Sequence, residues 1–173
     1  MPFSHLPPVI GEALGARGYD ALTPVQQAVT EPEAAGRDLI VSAQTGSGKT
    51  VAFGLALAPK LLDAVGGTPL SERPLVLVIA PTRELALQVS RELGWLYGQH
   101  GVRINAIAPG LVKTDFAKAL WENPKARERV EGQLPMRRIG EPEDIAGGAV
   151  YLASPAARWT TGQMVVIDGG ATI

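Results

Sequence analysis

The sequence contains no cysteine, and its only two histidines, His5 and His100, stand far apart. Disulfides, cysteine-bound zinc and thiol chemistry are therefore excluded. Two isolated histidines also argue against a histidine metal site or a Ser-His-Asp triad. Charge of either sign is not in excess. Residues 1–99 carry 7 Lys+Arg against 9 Asp+Glu, residues 100–173 carry 9 against 8, and the net charge is −1. Neither half has the basic surplus of a strong nucleic-acid binder. Long apolar runs are missing too. The longest clean one, Leu75–Ala80, is far too short to span a membrane. No charged N-terminal stretch leads into an apolar one, so no secretion signal is read and the cytoplasm is the expected location.

What is present fits a soluble α/β domain. The chain has 173 residues, 46% of them apolar and 19% charged. That is one domain's length with enough apolar surface for a core. Glycine (20) and proline (14) are plentiful, as in folds with many short turns. The pattern predicts helices over Pro8–Arg17, Pro24–Glu33, Lys49–Val65, Thr82–Tyr97, Thr114–Trp121, Pro124–Gln133 and Pro142–Ala153. Continuous apolar runs predict buried strands at Asp38–Ser42, Leu75–Ala80, Val102–Ala108 and Met164–Ile167, with a Gly- and Pro-rich loop over Gly66–Pro74. Strands alternating with helices predict a three-layer parallel α/β sheet of about four strands, P-loop/Rossmann-like.

One motif stands out. Ala43-Gln44-Thr45-Gly46-Ser47-Gly48-Lys49-Thr50 follows a predicted strand and opens a predicted helix. Gly46 and Gly48 let the backbone bend so that successive N–H groups point at phosphate oxygens. Lys49 would reach the β/γ-phosphates, and Thr50 would hold Mg²⁺. The expected ligand is ATP or ADP with Mg²⁺.

Residues 1 to about 99 resemble the first part of the N-terminal RecA-like domain of DEAD-box RNA helicases. The likeness rests on Gly18-Tyr19 with Leu22-Thr23-Pro24-Val25-Gln26, on the P-loop, and on Pro81-Thr82-Arg83-Glu84-Leu85-Ala86-Leu87-Gln88. It implies that Gln26 reads the adenine edge, that Tyr19 packs nearby and that Phe3 stacks on the base. The 81–88 segment matches a motif that contacts RNA backbone in that family, although a capped helix start with solvated Arg83 and Glu84 is the plainer reading. The family's acidic metal-binding pair, its Ser-Ala-Thr motif and its second domain are absent from the sequence. Helicase activity is therefore expected to be lost, with at most weak ATP hydrolysis left.

Residues from about 100 to 173 resemble the C-terminal part of short-chain dehydrogenases/reductases. Gly101–Thr114 matches that family's sixth strand and Pro-Gly loop, which lies with its Thr along the nicotinamide end of the cofactor. Pro135–Ala146 and the Thr161–Gly170 segment match its last helix and strand. The family's Gly-rich dinucleotide fingerprint and catalytic Tyr-x-x-x-Lys pair are not found: Tyr97 is followed four residues later by Gly101, and Tyr151 by Pro155. Dehydrogenase activity is expected to be lost as well.

The two likenesses imply a single chimeric domain over 1–173 that joins a helicase-like segment, 1–99, to a dehydrogenase-like one, 100–173. The join falls near Gly98–Arg103 and would be engineered or the product of non-homologous recombination. The expected strand order is P-loop strand, Met164 strand, Val102 strand, Leu75 strand. The alternative order, P-loop strand, Leu75, Val102, Met164, would place all helices on one face. The first order sets Asp168 beside the P-loop as a metal-site acid, although capping the Gly169-Gly170 turn is the simpler role. The edge of the Leu75 strand would be free to pair with a second copy. The leading expectation is a nucleotide-binding domain, with a purely structural chimera or a residual NAD(P)-binding oxidoreductase fragment as alternatives.

Overall fold

The computed structural model describes residues 3–67 and 74–172, without the side chains of 63–67, and divides into two compact units, Met1–Ile104 and Asn105–Ile173. The expected Gly66–Pro74 loop lies largely outside the described residues.

The first unit is built from helices α1 (Pro8–Ala16), α2 (Pro24–Thr30), α3 (Lys49–Gly67) and α4 (Arg83–Tyr97). Proline opens α1 and α2, where its missing N–H costs nothing. Thr82 caps α4, its hydroxyl accepting from the Leu85 amide at 3.2 Å. Val51, Leu55 and Ala58 on α3, and Val89, Leu93 and Leu96 on α4, recur at helical spacing and are buried together with Ile10 and Leu14 of α1. The α3–α4 crossing is tightest at Gly54, where a Cβ would lie 2.6 Å from a Leu96 methyl. There the fully buried Tyr97 donates its hydroxyl to the Gly54 carbonyl at 2.6 Å.

Two expected strands do not form here. Residues 38–42 and 75–80 have no ladder partner among the described residues, and Ile40, Leu77 and Ile79 are exposed. Leu75 and Val76 alone rest against the core. An apolar run favours burial in general, but only a neighbouring strand makes it a strand. The four-strand sheet, its order and a Leu75 edge are thus not assembled among the described residues.

The second unit carries a parallel pair, β1 (Ala106–Pro109) and β2 (Met164–Ile167), in the register Ala106↔Met164 to Pro109↔Ile167. Parallel neighbours need a crossover connection. It contains α5 (Lys118–Trp121), α6 (Pro124–Gln133) and α7 (Pro142–Ala153). The helix predicted over Thr114–Trp121 starts as a 3₁₀ turn, Asp115–Ala117, before α5. Helix α7 lies on the sheet, closest at Gly148, where a Cβ would meet the Ile167 side chain at 2.4 Å. Asn105, just before β1, clamps the approach to β2: its amide donates to the Thr160 carbonyl (2.9 Å) and accepts from the Gln163 N–H (3.1 Å).

Candidate functional site

The carboxyl end of β1 runs into the Pro109–Thr114 loop, which with the 115–120 segment borders a hollow of about 360 Å³. Leu111, Val112, Phe116 and Leu120 give it an apolar lining, Thr114 adds one hydroxyl, and no lining residue is titratable. The loop is fixed at both ends. The Gly110 N–H extends the ladder to the Ile167 carbonyl at 2.9 Å. Further on, Lys113 N–H donates to the Gly140 carbonyl (2.9 Å) and Gly140 N–H to the Leu111 carbonyl (3.1 Å). Glycine is required at 110, since a Cβ there would stand 2.6 Å from the Asp168 backbone.

Charged groups surround the second attachment. Lys113 pairs with Glu141, and Arg138 grips Asp144 through two bonds of 2.6 and 2.8 Å. The Asp144 carboxylate also accepts the Glu141 N–H at 2.8 Å and so caps α7. The Arg138 bond and the Glu141 amide together hold Asp144 well below the usual carboxylate range. Asp168 is likewise lowered, by the Thr172 hydroxyl first and then by the amides of its own turn. Its Oδ1 accepts the Gly170 N–H at 2.9 Å, the role of a turn cap.

In the first unit, the expected site residues gather around the loop itself. Gln26 is fully buried: its amide donates to the Gly48 carbonyl (3.2 Å) and accepts the Thr23 N–H (3.0 Å), and the Thr23 hydroxyl donates to the Ser47 carbonyl. Both ends of the amide are thus engaged within the protein. Gly46 and Gly48 take positive φ, 82° and 84°. The Lys49 ammonium donates to the carbonyls of Ala43 (2.5 Å) and Gln44 (2.6 Å). The Thr50 hydroxyl meets the Gln88 amide at 3.4 Å. Tyr19 stacks on Trp95 at 6.1 Å, with Arg17 over the same indole. Phe3 is buried in the core. Gln44, Thr45 and Gly46 are exposed. The Asn105 clamp and the Arg138–Asp144 grip went unread in the sequence, because each joins residues that local spacing does not relate.

A family model described as enoyl-(acyl carrier protein) reductase matches residues 75–172, more than half of the chain. "Dehydrogenase/reductase SDR family member 4" of Bos taurus is 33% identical over 129 residues, 75% of this chain and 42% of that protein. "L-rhamnose 1-dehydrogenase (NAD(P)(+))" of Azotobacter vinelandii is 39% identical over 90 residues, 52% of this chain and 35% of its own. A solved putative NAD(P) dependent gluconate 5-dehydrogenase from Beutenbergia cavernae with bound NADP is 35% identical over 51% of this chain and 36% of that one, with a TM-score of 0.49. The chain thus spans a third to two fifths of the length of these curated relatives.

These matches correct several expectations. Function as an ATP- or ADP-binding P-loop domain in a helicase–dehydrogenase fusion is overturned, and with it Mg²⁺ at Thr50 and Asp168. The likeness to NAD(P)-linked dehydrogenases extends over more than half of the chain, whereas the P-loop is a short local pattern. Such a pattern specifies how a backbone turns, and not which nucleotide a whole fold serves. The family match begins at residue 75 and takes in all of α4, upstream of the join expected near Gly98–Arg103. Among the described residues no group of three or more His, Cys, Asp or Glu could hold a metal.

Proposed function

The chain belongs to the short-chain dehydrogenase/reductase family through residues 75–172, and from that premise we propose that it is an NAD(P)-linked oxidoreductase fragment whose Pro109–Thr114 loop borders the nicotinamide end of the cofactor. The observation that carries this reading is the apolar hollow at the carboxyl end of β1. Ligands of parallel α/β sheets sit outside the carboxyl ends of the strands. A flat nicotinamide ring suits walls made of Leu111, Val112 and backbone, and the Thr114 hydroxyl can donate or accept for a carboxamide. The bound cofactor would supply or accept the hydride.

The chain's own part in this reading is to hold and desolvate the ring. No Tyr or Lys lines the hollow, and the Tyr97 hydroxyl is engaged with Gly54 inside the first unit. Contact with the cofactor without turnover by these residues alone is therefore the expected behaviour. Saturation-transfer NMR on NADH and NADPH tests it. Saturation of the nicotinamide protons, weakened in Thr114→Val, is expected. Saturation of the adenine protons only, unchanged in Thr114→Val, would discard the reading.

The 43–50 loop supports a smaller proposal, contact with a phosphate group. Lys49 and the amides of the Gly46–Thr50 turn would make it, with Gln26 bracing the turn and Tyr19, stacked on Trp95, in the same unit. The buried Ser47 hydroxyl, which has no partner among the described residues, favours this reading. Phosphate-31 NMR on added pyrophosphate, compared with Lys49→Ala, decides it; equal line broadening in both proteins would count against it.

A further inference from the structure

The Pro109–Thr114 loop reaches the hollow with a second support besides β1. Beyond Gly110 it departs from the sheet, and its next attachment is the 138–141 segment at the start of α7. Two backbone hydrogen bonds make this attachment, Lys113 to Gly140 and Gly140 to Leu111. The fit is close, since a Cβ on Gly140 would lie 3.3 Å from the Leu111 carbonyl oxygen. Ile139 beside it is almost fully buried and anchors the segment. The Lys113–Glu141 ion pair closes the attachment on its outer side, with Lys113 next to the lining residues Val112 and Thr114.

We propose that Lys113 and Glu141 form a positioning pair that sets the pose of the nicotinamide-side loop, and hence cofactor affinity, by latching the loop to the N-terminus of α7. The inference rests on the NAD(P) reading above. Glu141 suits the task because it is the residue that precedes α7: its N–H is held by Asp144, and Asp144 by Arg138. Its backbone is thereby fixed, and its side chain can transmit that rigidity to Lys113. Neither side chain lines the hollow, so both act through the loop.

The pair is partly exposed, with side-chain accessibilities of 33% and 45%. An ion pair of that kind has a modest effect, and Glu141→Gln or Lys113→Met should raise the dissociation constant for NADH by roughly two- to fivefold. Amide hydrogen exchange at 111–113 without cofactor should quicken in the same variants while β1 and β2 keep their protection. The charge swap Lys113→Glu with Glu141→Lys should restore both. Unchanged exchange at 111–113 in either single variant overturns the latch, whatever NADH does. Faster exchange with unchanged NADH affinity overturns its link to the cofactor. If the parent protein does not bind NADH at all, the NAD(P) reading falls and the link to the cofactor with it, and the exchange data still judge the latch.

Discussion

The backbones of Gly110 and Asp168 pass so close that a Cβ on residue 110 would lie 2.6 Å from both the Cα and the Cβ of Asp168. The contact joins the exits of β1 and β2, and it sets where the Pro109–Thr114 loop leaves the sheet. Backbone on one side and a carbon fixed to backbone on the other leave little room to relax. Gly110→Ala should therefore destabilise the second unit by about 1–3 kcal/mol, the usual cost of overpacking. Faster amide exchange in both β1 and β2 would report it; unchanged exchange would show that the two exits are free to move apart.

Asn105 holds the turn that delivers the chain to β2. Asn105→Ala removes two hydrogen bonds, one to the Thr160 carbonyl and one from the Gln163 N–H. The bond to Thr160 is part-buried and the one from Gln163 exposed, so a loss of about 1 kcal/mol is expected. Exchange at Gln163–Val165 should rise first, before that of α7.

The helices were largely legible in the sequence, and the reason is local. Pro8, Pro24, Pro124 and Pro142 open their helices where predicted, and Thr82 caps α4 through its own hydroxyl. Strands depend on distant partners. Met164–Ile167 forms a strand because β1 lies beside it, whereas Leu75–Ala80, with an equally apolar run, has no such neighbour among the described residues. Gln26 shows the same limit within the site. Its place in the sequence was plain, but its engagement with Gly48 depends on a contact between residues that are remote in the chain. The family likeness begins at residue 75, and α4 inside it also carries a pattern resembling a helicase motif.

Gly48 ties the 43–50 loop to α2. Its φ is +84°, and a Cβ there would lie 2.4 Å from the Gln26 amide nitrogen. Gly48→Ala would strain the backbone by roughly 1–2 kcal/mol and push Gln26 off its carbonyl partner. Gln26→Ala should cost a similar amount by leaving the Thr23 N–H without its acceptor. Urea midpoints of the two single variants and the double variant test this. Full additivity would mean that the two residues do not act on one another.

Tyr97 is the buried hinge of the α3–α4 crossing. Burial pushes its phenol well above the ordinary tyrosine range, so the folded protein keeps it neutral. The unfolded chain ionises it near pH 10. Stability that is intact below pH 10 is therefore lost as pH rises beyond it. Tyr97→Phe should cost about 1 kcal/mol at pH 7 from the lost bond to Gly54, and should remove that alkaline loss. A Tyr97→Phe protein with the same alkaline slope as the parent would place the titrating group elsewhere.

Asp144 makes the opposite prediction at the acid end. Its carboxylate is depressed first by the Arg138 hydrogen bond and then by the Glu141 amide. The folded protein thus favours its ionised form, while the unfolded chain protonates it near pH 4. For a depressed acid, the stabilising contribution is complete above the unfolded value and fades as pH falls through the folded one. Asp144→Asn keeps the shape of the side chain but removes the charge that Arg138 grips. The variant should be less stable than the parent by a constant margin between pH 5 and 8. That margin should shrink below about pH 4, as the unfolded parent takes up a proton that the folded one does not. Arg138 is always protonated, so its own titration cannot produce this curve. Arg138→Met serves as the control: its deficit should follow the same pH course, because the same pair is broken from the other side. Urea midpoints measured from pH 2 to 8 for the three proteins decide the matter. A deficit of Asp144→Asn that persists undiminished at pH 2 would mean that the cap on the Glu141 N–H, rather than the charge pair with Arg138, holds the start of α7.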